Sequence, residues 1–149
     1  MEQIWQRGDF EISTDPARVD LPTVHRFLNE EAYWSPGVPL DVVRRAIDAS
    51  IVFGVYRVAG GEQAGFARVV SDKATFAWIC DVFILDEFRG HGLGKWLMAT
   101  IAGHPDLHGL RRWMLATRDA HTLYEKSGFT ALHDATRFME KWDPEIYRR

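Results

Sequence analysis

The sequence predicts a mixed α/β (α+β) fold, a largely antiparallel sheet with helices covering it, and three observations carry that expectation. Three β-rich runs follow one another with hairpin-length turns between them, at Ile51–Val58, Gln63–Val70 and Thr75–Leu85. Apolar residues recur at helical spacing both before and after these runs. After the meander the order becomes helix, strand, helix, strand, which places helices against a sheet instead of in a separate bundle. A chain of 149 residues matches the usual size of one domain, and ~150 residues bury roughly 68–70% of their unfolded surface. One domain over residues 1–149 is therefore expected, without internal repeats or linker-like stretches.

The elements follow in order. Phe10-Glu11-Ile12-Ser13 alternates apolar and polar and starts a strand. Asp20 followed by Pro22 marks a helix start, with Val24, Phe27 and Leu28 on its apolar face. Tyr33-Trp34-Ser35-Pro36-Gly37-Val38-Pro39 is an aromatic loop. Asp41 is placed as the N-cap of a helix through Ser50, with Val42, Val43, Ala46 and Ile47 on one face. After the meander, Gly92–Ala102 reads as a helix carrying Leu93, Trp96, Leu97 and Ile101, ended by Gly103 and Pro105. A strand is expected at Arg112–Thr117, a short helix at Ala120–Ser127 closed by Gly128, and a last strand at Phe138–Trp142.

Composition excludes several function classes. With 18 Lys+Arg against 21 Asp+Glu, the net charge is -3 and mixed along the chain, so no basic stripe awaits nucleic-acid phosphates. The single cysteine, Cys80, cannot form an internal disulfide, and in its apolar run it reads as a small buried hydrophobe, which favours a reducing cytoplasm. No stretch approaches ~18 uninterrupted apolar residues, and Met1–Arg7 is polar, so neither membrane nor signal peptide is expected. The six histidines show no metal-ligand spacing, so no metal is expected. Aromatics make up 13% of the chain, a surplus that a ring-rich core or a binding pocket would absorb.

The most informative stretch is Arg89-Gly90-His91-Gly92-Leu93-Gly94-Lys95, a glycine turn between an apolar strand and an amphipathic helix. Glycines permit close backbone approach, and the free N–H groups of a helix start favour an anion such as a pyrophosphate. A tight turn without a ligand is the plain alternative. A Rossmann site would need the turn after the first strand of a βαβ unit, and a Walker A loop would need Ser or Thr after Lys95, where Trp96 stands. The segment instead resembles the Gcn5-related N-acetyltransferase (GNAT) superfamily. Its Gln/Arg-x-x-Gly-x-Gly/Ala pattern is matched by Arg89, Gly92 and Gly94. A second family element, Ala-x-x-x-Tyr-x-x-x-Gly-Phe, is matched by Ala120, Tyr124, Gly128 and Phe129, about 30 residues downstream.

The resemblance covers nearly the whole chain and implies a sheet of about six to seven strands with about four helices, splayed between the fourth and fifth of the strands just described. It implies acetyl-CoA as donor, its pyrophosphate on the Arg89–Lys95 loop and its pantetheine arm alongside Val82, Phe83 and Ile84, with a bulge in that strand. Arg89 then supports the loop or touches phosphate, and His91 is a solvent or phosphate neighbour. Where many members carry an asparagine, this chain has Thr117, whose hydroxyl replaces only part of an amide's hydrogen bonding. The resemblance also allows a homodimer.

Transfer to a primary amine of a small molecule, peptide or protein poses two proton problems. An amine of pKa ~10.4 costs about 4–5 kcal/mol to neutralise at pH 7, and a leaving thiolate near 8.5 is within reach of a phenol near 10. By its place in the family motif Tyr124 is that phenol. Asp81, a carboxylate in an apolar strand, is the candidate base, and a structural role stands beside it because alternation puts it opposite Cys80 and Val82. Glu31, Asp72 and a water chain compete for the same task. Tyr33, Trp34, Arg68 and Trp78 are expected around the acceptor, where aromatic walls suit an apolar or cationic amine. The alternative to an enzyme is a CoA-binding sensor without turnover.

Overall fold

A computed structural model describes residues 2–149. Six strands form one sheet in sequential order: β1 (Ile4–Arg7), β2 (Phe10–Ser13), β3 (Ile51–Arg57), β4 (Gln63–Ser71), β5 (Phe76–Ile84) and β6 (Arg112–Met114). The first five are antiparallel, and β6 joins β5 in parallel. The fold class expected from the pattern is the one observed.

Helices cover both faces. On one side α1 (Leu21–Arg26), its π-turn continuation Phe27–Glu31 and α2 (Leu40–Asp48) bury Val24, Phe27, Leu28, Val43 and Ile47 against Val52, Phe66 and Phe83 of the sheet. On the other, α3 (Leu93–Ala102) and α4 (His121–Glu125) pack Leu93, Leu97, Ile101 and Tyr124 over Phe53, Val55, Val69 and Ile79. Asp20 caps α1 as expected, its carboxylate accepting from the Thr23 N–H at 3.2 Å. Asp41 does not cap α2: Pro39 holds that place, and Asp41 pairs with Arg45 one turn on at 3.0 Å.

Two expectations at the sheet edges are corrected. Ile4–Arg7 forms a strand that its short, polar pattern did not announce; it pairs with β2 through a turn at Gly8, which adopts φ 58°. Phe138–Trp142 forms no strand. Its aromatic ends suit a strand, but Phe138-Met139-Glu140-Lys141-Trp142 does not alternate, it pairs with no strand among the described residues, and Met139 and Trp142 stand 98% and 72% exposed.

The β5–β6 contact positions the site. It lasts only for Phe76–Arg112, Ala77–Trp113 and Trp78–Met114, after which the strands part. β5 continues to Ile84 with no partner on that side, while the chain after Met114 bends away toward α4. The anticipated splay therefore lies between β5 and β6.

Candidate active site

The parting strands open a cleft of about 880 Å³. It is lined by residues the sequence singled out for three tasks: Val82, Phe83, Ile84, Arg89, Gly94 and Thr117 for the cofactor; Tyr124 and Asp81 for catalysis; and Tyr33, Trp34, Arg68 and Trp78 for the acceptor. A second cavity of about 730 Å³ lies beyond β6 among Met98, Ile101, Leu110, Trp113 and Phe129 and holds none of these residues.

β5 carries a bulge within the cleft. Arg68 pairs with Cys80 and Phe66 with Phe83, so Ala67 alone faces both Asp81 and Val82. Asp81 absorbs the extra residue with φ 56°, a left-handed conformation that aspartate tolerates better than most residues. Strict alternation would set Asp81 opposite Cys80. The bulge instead turns its carboxylate to Arg68, the residue in register with Cys80, at 3.0 Å from Nε. Its other oxygen accepts from the Trp34 indole N–H at 2.9 Å, and Arg68 also donates to the Ser50 hydroxyl at 3.1 Å. Both side chains of the Arg68–Asp81 pair are largely buried. Cys80 donates weakly to the Arg68 carbonyl, and burial pushes its thiol up to about 11, which keeps it neutral.

At the end of β5 the loop turns into α3. Gly90 and Gly92 adopt φ 87° and 72°, and Gly92 is the N-cap residue, offering no side-chain cap. The N–H groups of Leu93, Gly94 and Lys95 have no backbone acceptor among the described residues, and Trp96 makes the first helical bond to the Gly92 carbonyl. This ten-residue helix thus presents bare donors behind a glycine turn. Arg89 donates from Nε to the Ile84 carbonyl at 3.1 Å and pairs with Asp86, so it braces the turn. His91 and Lys95 are exposed, with His91 5.7 Å from the Phe10 ring. Leu93 and Phe83 face the core, so only their backbones reach a ligand. Arg7, which no motif flagged, lies 3.7 Å from where a side chain at Gly92 would begin.

Tyr124 comes from the opposite wall. It is buried on α4 beside Phe129, with which its ring makes an edge contact at 6.2 Å, and its hydroxyl has no protein partner among the described residues. Burial, followed by the neighbouring Tyr33 and Asp119, raises its pKa above the ordinary phenol value. Thr117 is engaged locally: its hydroxyl accepts from the Ala120 N–H at 3.0 Å, where α4 begins.

The aromatic loop closes the third side. Ser35 donates to the Leu28 carbonyl at 2.7 Å, and the His25 ring bonds the Val38 carbonyl at 2.9 Å. Tyr33 accepts from the Arg118 N–H at 2.7 Å, and the Arg118 guanidinium lies 3.9 Å from the centre of its ring. Trp34 contacts Phe27, which stacks on Phe83 with ring centres 4.0 Å apart. Glu31 lines the cleft without an ion-pair partner among the described residues. Tyr147 and Arg118 also line it and were missed; neither sits in a motif, and only the fold brings them here. Asp72 does not join the site: it caps its own turn, its carboxylate bonded to Thr75, Ala74 and Phe76. Among the described residues no helix is long and apolar enough to cross a membrane, and no group of three or more His, Cys, Asp or Glu is placed to hold a metal ion.

Comparison with known proteins identifies the family. The acetyltransferase (GNAT) domain family matches residues 48–131, from the end of α2 past the second motif. A protein of Gibberella zeae named as an acetyltransferase is 34% identical over 116 residues, a stretch covering 66% of each chain. A crystal structure from Xanthomonas campestris pv. campestris, assigned to the GNAT family, superposes with a TM-score of 0.91 at 44% identity, covering 97% of this chain and 100% of that one. Glucosamine-6-phosphate N-acetyltransferase from Arabidopsis thaliana shares the fold at a TM-score of 0.59 and 17% identity, covering 95% of this chain and 98% of that one. The chain belongs to the GNAT acetyltransferase family.

Proposed function

We propose that the protein is an acetyl-CoA-dependent N-acetyltransferase of one domain that acts on a primary amine. The observation that carries the reading is the bulge at Asp81–Val82 placed where β5 leaves β6, with Tyr124 on the facing wall and bare helix donors at the far end. Those features suit one elongated ligand with an anionic end and a reactive end. The residues fit acetyl-CoA: Gly90 and Gly92 leave the turn's backbone bare on either side of His91, and among the described residues the α3 N–H groups lack acceptors and the β5 edge beyond Trp78 is unpaired.

Acetyl-CoA supplies the thioester that the amine attacks. The N–H groups of Leu93, Gly94 and Lys95 hold the pyrophosphate, with Arg7, Arg89 and Lys95 adding positive charge around it and His91 beside it. Val82, Phe83 and Ile84 offer backbone to the pantetheine arm, and Thr117 borders it from the β6 side. At the bulge, backbone freed from the ladder donates to the oxygen on which charge develops. Tyr124 keeps its proton because burial raises its pKa, and gives it to the departing sulfur. Glu31, the unpaired carboxylate on the wall, takes the proton the amine loses. Asp81, with both oxygens engaged, holds Trp34 and Arg68 in place. Cys80 stays neutral, which favours direct attack over an acyl-cysteine route.

Thiol release from acetyl-CoA with a panel of amines tests the reading. Amine-dependent release that collapses in Tyr124→Phe is expected. CoA binding without transfer to any amine, unaltered by that substitution, would establish the sensor reading instead.

A further inference from the structure

We infer that the acceptor is a free small-molecule primary amine, and that Tyr147 closes its pocket against amino groups carried on polypeptide chains. The inference rests on the acetyl-transfer reading above and adds the acceptor class to it. Its basis is a strap across the cleft. Tyr33 and Trp34 are adjacent in sequence, yet each is tied to a different wall. The Trp34 indole N–H reaches Asp81 on β5 at 2.9 Å, and the Tyr33 hydroxyl receives the Arg118 N–H, beyond β6, at 2.7 Å. Consecutive Cα atoms are only about 3.8 Å apart, so a pair bonded to both walls leaves no slack between them. The strap is anchored further by the Arg118 guanidinium over Tyr33 and by the Trp34–Phe27–Phe83 ring series, which leads into the core.

The C-terminal turn Ile146–Arg148 comes close to Gly37, three residues beyond Trp34, and its Tyr147 lines the cleft. Gly37, in the same loop, has φ 83°, and a Cβ placed there would lie 3.5 Å from the Tyr147 carbonyl oxygen and 3.7 Å from its Cβ. The positive φ is what calls for glycine here, and the turn sits at ordinary contact distance from it. Tyr147 thereby joins the cleft lining beside Trp34 and Trp78 although it is distant in sequence. The turn is braced by Arg148 on Glu145 at 3.0 Å and by an Arg149–Asp143 pair.

A peptide acceptor brings chain with its reacting amine, on both sides of a lysine or on one side of a free N-terminus, and hence needs an open groove. A strap tied at both ends, with a braced turn beside it, offers a pocket instead. The cleft of about 880 Å³ is shared with the donor, so the acceptor end is only a part of it.

The test measures amine-dependent thiol release with phenethylamine, spermidine, and short peptides bearing a lysine or a free N-terminus, alongside calorimetric CoA binding. Wild-type protein should turn over a small amine with kcat/KM at least about a hundredfold above any peptide. Tyr147→Ala should raise the small-amine KM about tenfold and narrow the gap to peptides, with the acetyl-CoA KM and the unfolding temperature unchanged. Tyr147→Phe should restore the amine KM, since the ring forms the wall. Peptides used as well as the best small amine, or an amine KM indifferent to Tyr147→Ala, would overturn the inference. Intact CoA binding without turnover of any amine would overturn it as well; failed CoA binding would overturn the transfer reading and this one together.

Discussion

The two ends of the cleft are built from different material. The end at α3 is backbone: bare N–H groups, a glycine turn and an unpaired strand edge, all supplied by the contiguous segment from Asp81 to Lys95. The end at Trp34 is side chains, gathered from the α1–α2 loop, β4, β5, the stretch after β6 and the C-terminal turn. A backbone site needs only residues that stay out of the way, so it tolerates little variation in sequence. A side-chain site can be rebuilt by changing any of several loops. On the proposed reading, the backbone end takes the donor and the side-chain end selects the acceptor.

Substitutions at each end should break different functions. The largest effect is expected from Tyr124→Phe, which removes the proton donor but leaves the ring packing: kcat should fall about 10²–10⁴-fold with CoA affinity unchanged. Because burial raises the Tyr124 pKa, its protonated form persists as pH rises, so the alkaline fall in wild-type kcat should lie above the ordinary phenol value of about 10. Next comes Gly92→Val. A β-branched residue at φ 72° costs about 1–3 kcal/mol of backbone strain, and calorimetry should show CoA binding weakened well beyond any change in amine preference. Asp81→Asn is milder, since asparagine also tolerates φ 56° and keeps an oxygen for the Trp34 indole. Losing the Arg68 ion pair should raise the amine KM several-fold with kcat little changed, whereas Glu31→Gln should lower kcat. Smallest is Thr117→Ala, which deletes the hydroxyl bonded to the Ala120 N–H; a stability loss of about 1 kcal/mol is expected in thermal unfolding.

The same contrast explains what could be read in advance. Arg89, Gly92, Gly94 and Tyr124 lie in two short motifs, so donor-end geometry and the facing phenol were visible before any fold was known. The splay was visible only through the family resemblance. Asp81 was half legible: its chemistry marked it, but alternation mispredicted its direction because a bulge cannot be counted from period alone. Tyr147 and Arg118 were illegible, because nothing local distinguishes them from other exposed residues. Phe138–Trp142 failed as a strand for a related reason, since aromatic residues state a preference but only a neighbouring edge can satisfy it. Ile4–Arg7 succeeded despite weak alternation because β2 offers that edge.

The central claim, that this cleft transfers an acetyl group with Tyr124 as proton donor, is tested most directly by one paired measurement. Thiol release and acetylated-amine mass are followed for wild type and Tyr124→Phe at saturating acetyl-CoA. The account predicts one acetyl group on the amine for each thiol released by wild type, and loss of both signals together in the variant with CoA binding retained. Equal product formation by the two proteins would contradict it.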